Sequence, residues 1–322
     1  MLLLCLVLAQ ALPIEALARD ARSDAPALRR KAMEALAAAG PEGVAALRPI
    51  VEDQVARLTA RAERMARGGP VIPRLRHLAG AELPARRKEA LAFIEDERRF
   101  TKVPESQREM ERLIGLVREV WEHPARSFRA QVPELDELLR ERDELDRFGP
   151  LTGLPAPPDL LARFDAAAVE TPAGPVEEWN RGAAAPSATP AERRVMERTN
   201  RWRAMLGRPP LEFDDRLVRA ARAHSREMLE LRYFAHESPT PGLRTPGERA
   251  RAAGFAGSCG ENIASHGDPD AAFDGWVHSP GHHRNLVGAR WRQLGVGNAA
   301  AERRSSFTML LGNGDSLRGR KH

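Results

Sequence analysis

The chain has 322 residues, 42% hydrophobic and 30% charged, with a net charge of +5. That length favours two domains, and the apolar share is enough for a buried core, which excludes a wholly disordered chain. The positive charge gathers after residue 185, with 22 Lys and Arg against 15 Asp and Glu. These basic residues do not cluster, and no zinc-finger or homeodomain spacing appears, so nucleic acid is excluded as a partner.

Taken in chain order, residues 1–18 (MLLLCLVLAQALPIEALA) read as a signal peptide. The apolar run Leu2–Ala9 is too short to span a membrane, and small residues sit two apart at Ala9/Ala11 and Ala16/Ala18, as a signal peptidase requires. Basic residues are missing from its start, and Leu4-Cys5 is a poor lipoprotein cue. The expected location is therefore secreted or periplasmic. After that segment no apolar run approaches the roughly 18 residues of a membrane-spanning helix. Removing the segment leaves Cys259 as the one remaining cysteine, so stability must come from packing rather than an internal disulfide.

Residues 19–149 read as an all-α region. Ser23-Asp24-Ala25-Pro26 starts a helix, and Gly40-Pro41 stops it and opens the next. Val44, Leu47, Val51, Val55 and Leu58 share one helical face, with Pro49 expected to kink it. A further helix carries Met110, Leu113, Ile114, Val117, Val120 and Trp121 on one face, and another starts at Pro133. Residues 150–190 hold eight prolines and read as an extended linker. Residues 191–322 mix types. Helices are predicted over 190–205 and 217–232, a short helix ends at Ser279, and strands follow over 293–298 and 305–311. The fold class is α+β.

Three segments of this last region carry chemistry. Tyr233-Phe234-Ala235-His236-Glu237-Ser238-Pro239 places a histidine on a loop after an aromatic anchor. Gly260-Glu261-Asn262-Ile263-Ala264 offers a carboxylate beside a core-directed isoleucine. In Asp268–Leu286, Asp268 caps a helix, Phe273 and Trp276 are expected to be buried, and Pro280-Gly281 is expected to end the helix. His282 would then lie past a helix C-terminus, where the dipole favours imidazolium. His224 reads as structural, His278 as solvent-facing, and Cys259 as a small buried residue.

The order FAHESP, GENIA, WVHSPGHHRNL and LGVG resembles the CAP domain of cysteine-rich secretory proteins, antigen 5 and pathogenesis-related protein 1, in particular its bacterial, SCP-like branch. The resemblance covers about residues 192–313. It implies an α-β-α sandwich with a cleft of two His and two Glu. Carried over, the histidines fall on His236 and His282, with His283 as the alternative, and the first glutamate falls on Glu261. The second glutamate position is Ser279 here, a departure that implies weaker metal binding; Glu237 is a possible substitute. The expected ligand set for a weakly held divalent metal such as zinc is therefore His236 and His282, with Glu261 and Ser279 in the cleft.

No HExxH, nucleophile elbow or phosphate-binding glycine loop appears. The leading expectation is a binding or interaction module for an envelope or extracellular ligand. The alternatives are a metal- or His/Glu-dependent hydrolase of peptide or envelope polymer, and a lipid or sterol carrier.

Overall fold

The computed structural model describes residues 13–96, 98–99, 103–155, 158–169, 174–182, 184–265, 267–301 and 304–318. Residues 1–12, with most of the expected signal peptide, lie outside them. The chain divides into two compact units, Met1–Gly80 with Glu122–Glu170, and Ala81–Trp121 with Thr171–His322.

The first unit is all-α among its described residues. It contains α1 (Ile14–Asp20), α2 (Pro26–Ala38), α3 (Gly40–Arg67), the start of α4 (Val71–Glu95), α6 (Pro124–Phe128), α7 (Pro133–Asp146), α8 (Gly149–Thr152) and α9 (Leu160–Val169). Leu47, Val51 and Leu58 of the predicted α3 face are buried, as are Leu36 of α2 and Leu135 and Leu138 of α7. The α3 helix runs on through Pro49. Leu17 of α1 is also buried.

The second unit holds the rest of α4, α5 (Val103–Glu122, of which Glu122 belongs to the first unit), α10 (Pro175–Arg181) and everything beyond. The predicted apolar face of α5 is buried at Met110, Leu113, Ile114, Val117 and Val120. The extended linker expected over 150–190 is corrected: it contains α8, α9 and α10. Pro150 and Pro175 sit in the first turns of α8 and α10, where a missing N–H costs nothing. Asn180 of α10 is buried and donates to Leu211 O at 2.9 Å.

After α10 come α11 (Pro190–Met205), β1 (Glu212–Phe213), α12 (Asp215–Glu230), α13 (Pro246–Ala252), β2 (Gly257–Ala264), α14 (Pro269–His278), α15 (Pro280–Val287), β3 (Gln293–Ala301) and β4 (Arg304–Gly314). Thr189 caps α11, with Glu192 completing a capping box. The sheet order is β1-β3-β4-β2, with β1 parallel to β3 and the other pairs antiparallel. Helices cover both faces, giving the α-β-α sandwich. One face is pressed so tightly that a Cβ on Gly297 would lie 1.9 Å from Arg222 N of α12, and one on Gly295 2.4 Å from the Leu217 carbonyl carbon. The alternate residues, Leu294 and Val296, are fully buried on the opposite face. The LGVG segment is therefore a strand that lets helix backbone touch sheet backbone.

β1, α13, β2 and α15 add to the elements predicted from the sequence. β2 opens on Gly257-Ser258-Cys259, with no run of β-branched or aromatic residues. The segment of α15 reads in sequence as chain beyond a helix end. Pro280 does not stop a helix there; it occupies the first turn of a new one.

Candidate functional site

β2 and the loop after α12 bring His236 and Glu261 together. Glu261 is buried, and its Oε1 lies 2.8 Å from His236 Nδ1. An ionised carboxylate only accepts, so Nδ1 of the imidazole carries the proton it donates. Glu261 Oε2 accepts from Arg249 Nη2 at 2.5 Å, an ion pair in which both side chains are almost fully buried. Arg249 also donates from Nη2 to His236 O at 3.0 Å, and from Nη1 to Leu243 O and Arg244 O at 3.0 and 2.9 Å. One guanidinium of α13 thus fixes both the carboxylate and the loop carrying its histidine. The His236 side chain itself is 54% exposed.

A second set of bonds braces the same loop. Glu227 of α12 accepts from Tyr233 Oη at 2.6 Å, from Ser238 Oγ at 2.8 Å and from Thr240 Oγ1. Burial raises the Glu227 carboxyl, but these three hydroxyls outweigh it and hold the pKa at about 2. His224, buried on α12, meets Ala235 O through Nε2 at 3.1 Å. Burial lowers its pKa, and its role is to tie α12 to the loop, as the sequence suggested.

His282 reaches the same region from α15. Asn262 Nδ2 donates to His282 O at 3.0 Å, and Asn285 Nδ2 donates to Asn262 Oδ1 and Glu261 O at 2.9 and 3.2 Å. Trp276 Nε1 donates to Ile263 O at 3.0 Å, tying α14 to the same strand. Gly260 is required because the Trp291 ring fills the place of a Cβ, at 2.5 Å. The His282 imidazole is half-buried; burial lowers its pKa first, and the charge of His236 lowers it further. The helix-end argument made from sequence is corrected here. His282 stands in the first turn of α15, where the dipole disfavours imidazolium.

His283 is elsewhere. It is fully buried, accepts from Trp202 Nε1 at 3.0 Å, and lies 3.1 Å from Met110 Sδ through Nδ1. Burial drives its pKa down to about 3. Ser279 is the residue before α15 and makes no side-chain capping bond. Glu237 is on the surface, paired with Arg244, and does not join the cluster. His278 is exposed, its Nδ1 2.7 Å from Asp274 O. Cys259 is partly buried, and burial with the charge of Glu261 pushes its thiol up to about 11.

Sequence reasoning missed Arg249, Glu227 and Asn262. Arg249 is one arginine among many, and nothing local marks it; only the pairing of α13 with β2 reveals its partner. Among the described residues no group of three or more His, Cys, Asp or Glu side chains is arranged to hold a metal ion. Both oxygens of Glu261 are engaged, one on His236 and one on Arg249. It fits instead as the outer carboxylate that orients His236, an arrangement common behind metal-bound histidines.

The family model for the cysteine-rich secretory protein family, CAP, matches residues 196–311. Those residues form a CAP domain. The chain is 36% identical over 124 residues to the uncharacterized protein YkwD of Bacillus subtilis, covering 38% of this chain and 48% of that protein. It is 34% identical over 110 residues to the uncharacterized membrane protein YlbC of the same organism, covering 34% and 32%. The chain thus spans less than half the length of these curated relatives. A crystal structure of an extracellular protein containing an SCP domain from Bacillus anthracis matches with 29% identity and a TM-score of 0.33, over 44% of this chain and 45% of that one. Among the described residues no helix is long and apolar enough to cross a membrane.

Proposed function

We propose that the CAP domain is an extracytoplasmic recognition module that presents the His236 and His282 imidazoles to an envelope or extracellular ligand. The observation that carries this reading is the saturation of Glu261. With one oxygen on His236 and the other on Arg249, it orients an imidazole and is not free to serve as a hydrolytic base. Phe234, 53% exposed and two residues before His236 in sequence, offers an apolar surface on the same loop.

A divalent metal fits this pair as a weak guest. His236 and His282 would hold it, leaving further positions to water or ligand atoms, and it would supply a cationic anchor for a ligand oxygen. Zinc sites of catalytic type use three protein ligands, so two imidazoles bind weakly. Ser279, three residues before His282 on α15, is where a carboxylate would strengthen the site. Calorimetry with zinc at pH 7.5 tests this: Ser279→Glu should tighten binding at least about tenfold, a gain of about 1.4 kcal/mol. No binding by either the native chain or this variant would remove the metal from the proposal.

Export is proposed on the N-terminal segment. Leu17 is buried in α1, so cleavage after Ala18 would strip a core side chain from the first unit. Cleavage after Ala9 or Ala11 would spare it. N-terminal sequencing of the native protein should therefore begin at Gln10 or Leu12; a retained Met1 on cytosolic protein would end the export reading.

A further inference from the structure

The first unit holds a cavity of about 150 Å³, lined from α2, α3, α7 and the turn after α1. Its apolar lining is Met33, Leu58, Leu145 and Phe148, all buried. Five arginines also line it, Arg22, Arg29, Arg30, Arg57 and Arg61, against three carboxylates, Asp24, Glu141 and Glu144. Three of the arginines are answered: Arg30 by Glu144 at 3.4 Å, Arg57 by Asp53 at 2.9 Å, and Arg61 by Glu141 at 3.1 Å. Arg61 also reaches Glu137 at 3.5 Å, an exposed carboxylate outside the lining whose charge water screens.

Arg22 and Arg29 have no such answer. Arg22 Nη1 donates to Ala18 O at 2.8 Å and Arg29 Nη1 to Ser23 O at 3.4 Å, and neither meets a carboxylate among the described residues. An unpaired guanidinium on an open face is ordinary, but Arg29 is half-buried, where a charge with one long hydrogen bond is costly. Each guanidinium keeps unused donors in the fork that fits a carboxylate. Asp24, exposed and without a cation partner, offsets one of the two charges. The lining is thus left with one unanswered positive charge beside a buried apolar surface. An apolar cavity of about 150 Å³ takes up a body the size of benzene. We infer that this cavity is a binding site for a small organic monoanion, a carboxylate head on a flat apolar body of about six carbons, the head held by Arg22 and Arg29 and the body lying on Met33, Leu58, Leu145 and Phe148. The helical unit would then be a ligand-binding module in its own right, independent of the CAP domain's histidines.

The test titrates the isotope-labelled full chain with benzoate and reads it by NMR. Saturable shifts of backbone amides in α2, α3 and α7 are expected. Arg29→Gln and the exposed Arg22→Gln should each weaken benzoate binding at least about tenfold, the loss of one charge-assisted hydrogen bond. Both variants should melt close to native, because each of these guanidiniums makes a single internal bond. Asp24→Asn removes the opposing charge and should tighten benzoate binding about twofold or more. Benzamide binding as tightly as benzoate would overturn the anionic head. Tighter binding of phenyl phosphate would overturn the single charge, and equal binding of acetate would overturn the apolar body. Absence of saturable shifts with benzoate, or native affinity in both arginine variants, would overturn the site itself.

Discussion

Two histidine centres lie within the same unit and contrast sharply. At the first, Glu261 and Arg249 are buried together and hold an exposed imidazole, His236. At the second, His283 is itself buried and neutral, held by Trp202 and the sulfur of Met110. The first keeps charge inside the protein by pairing it; the second removes charge by refusing the proton. Adjacent residues on α15, His282 and His283, fall on opposite sides of this division because successive residues of a helix point about 100° apart. A histidine-rich motif therefore says that imidazoles are present, and the helix phase says which of them can meet a ligand.

The strongest way to break the contrast is Arg249→Met. It leaves the Glu261 carboxylate buried beside the imidazoles of His236, at 2.8 Å, and His224, at 4.0 Å, and removal of one member of such a pair costs about 3–5 kcal/mol. Chemical denaturation should show that loss, and the double variant Arg249→Met, Glu261→Met should regain much of it. A cost below about 1 kcal/mol would mean that the pair behaves as a solvated surface contact.

The second centre answers to pH. The pKa of His283 is about 3 in the folded chain and about 6.5 in an unfolded one. Below about pH 6.5 the unfolded chain therefore binds more protons, and stability falls as pH falls, by up to about 1.4 kcal/mol per pH unit from this group. The lowered His224 and His282 act in the same direction. Glu227 adds to the loss at lower pH, between its ordinary 4.5 and about 2. His283→Gln keeps an acceptor for Trp202 Nε1 but cannot titrate. Its stability should decline less steeply between pH 6.5 and 4 in denaturation series, and an unchanged slope would place the proton uptake elsewhere.

The smallest effect sharpens the division between neighbours. His282→Ala should abolish the weak zinc binding proposed above, whereas His283→Gln should leave it within about twofold, well under the tenfold that 1.4 kcal/mol represents. Loss of binding in both would show that the core histidine positions α15 for its neighbour.

Much of this arrangement is legible in the sequence. Thr189-Pro190 with Glu192 marks the start of α11 through local capping chemistry, and the α5 and α3 apolar faces follow from 3.6-residue periodicity. The ordered motifs named the domain and pointed to His236, Glu261 and His282, because short segments that must meet a helix backbone or a buried ring tolerate few residues, as Gly260, Gly295 and Gly297 show. What tertiary structure alone decided is who partners whom. Arg249 and Glu261 are 12 residues apart in the chain and meet because α13 lies against β2, and Met110 meets His283 across 173 residues. Pro280 carried the opposite error, since proline ends one helix and begins another with the same fixed φ. Side-chain pairing over such distances depends on which surfaces fold together, and no local propensity encodes it.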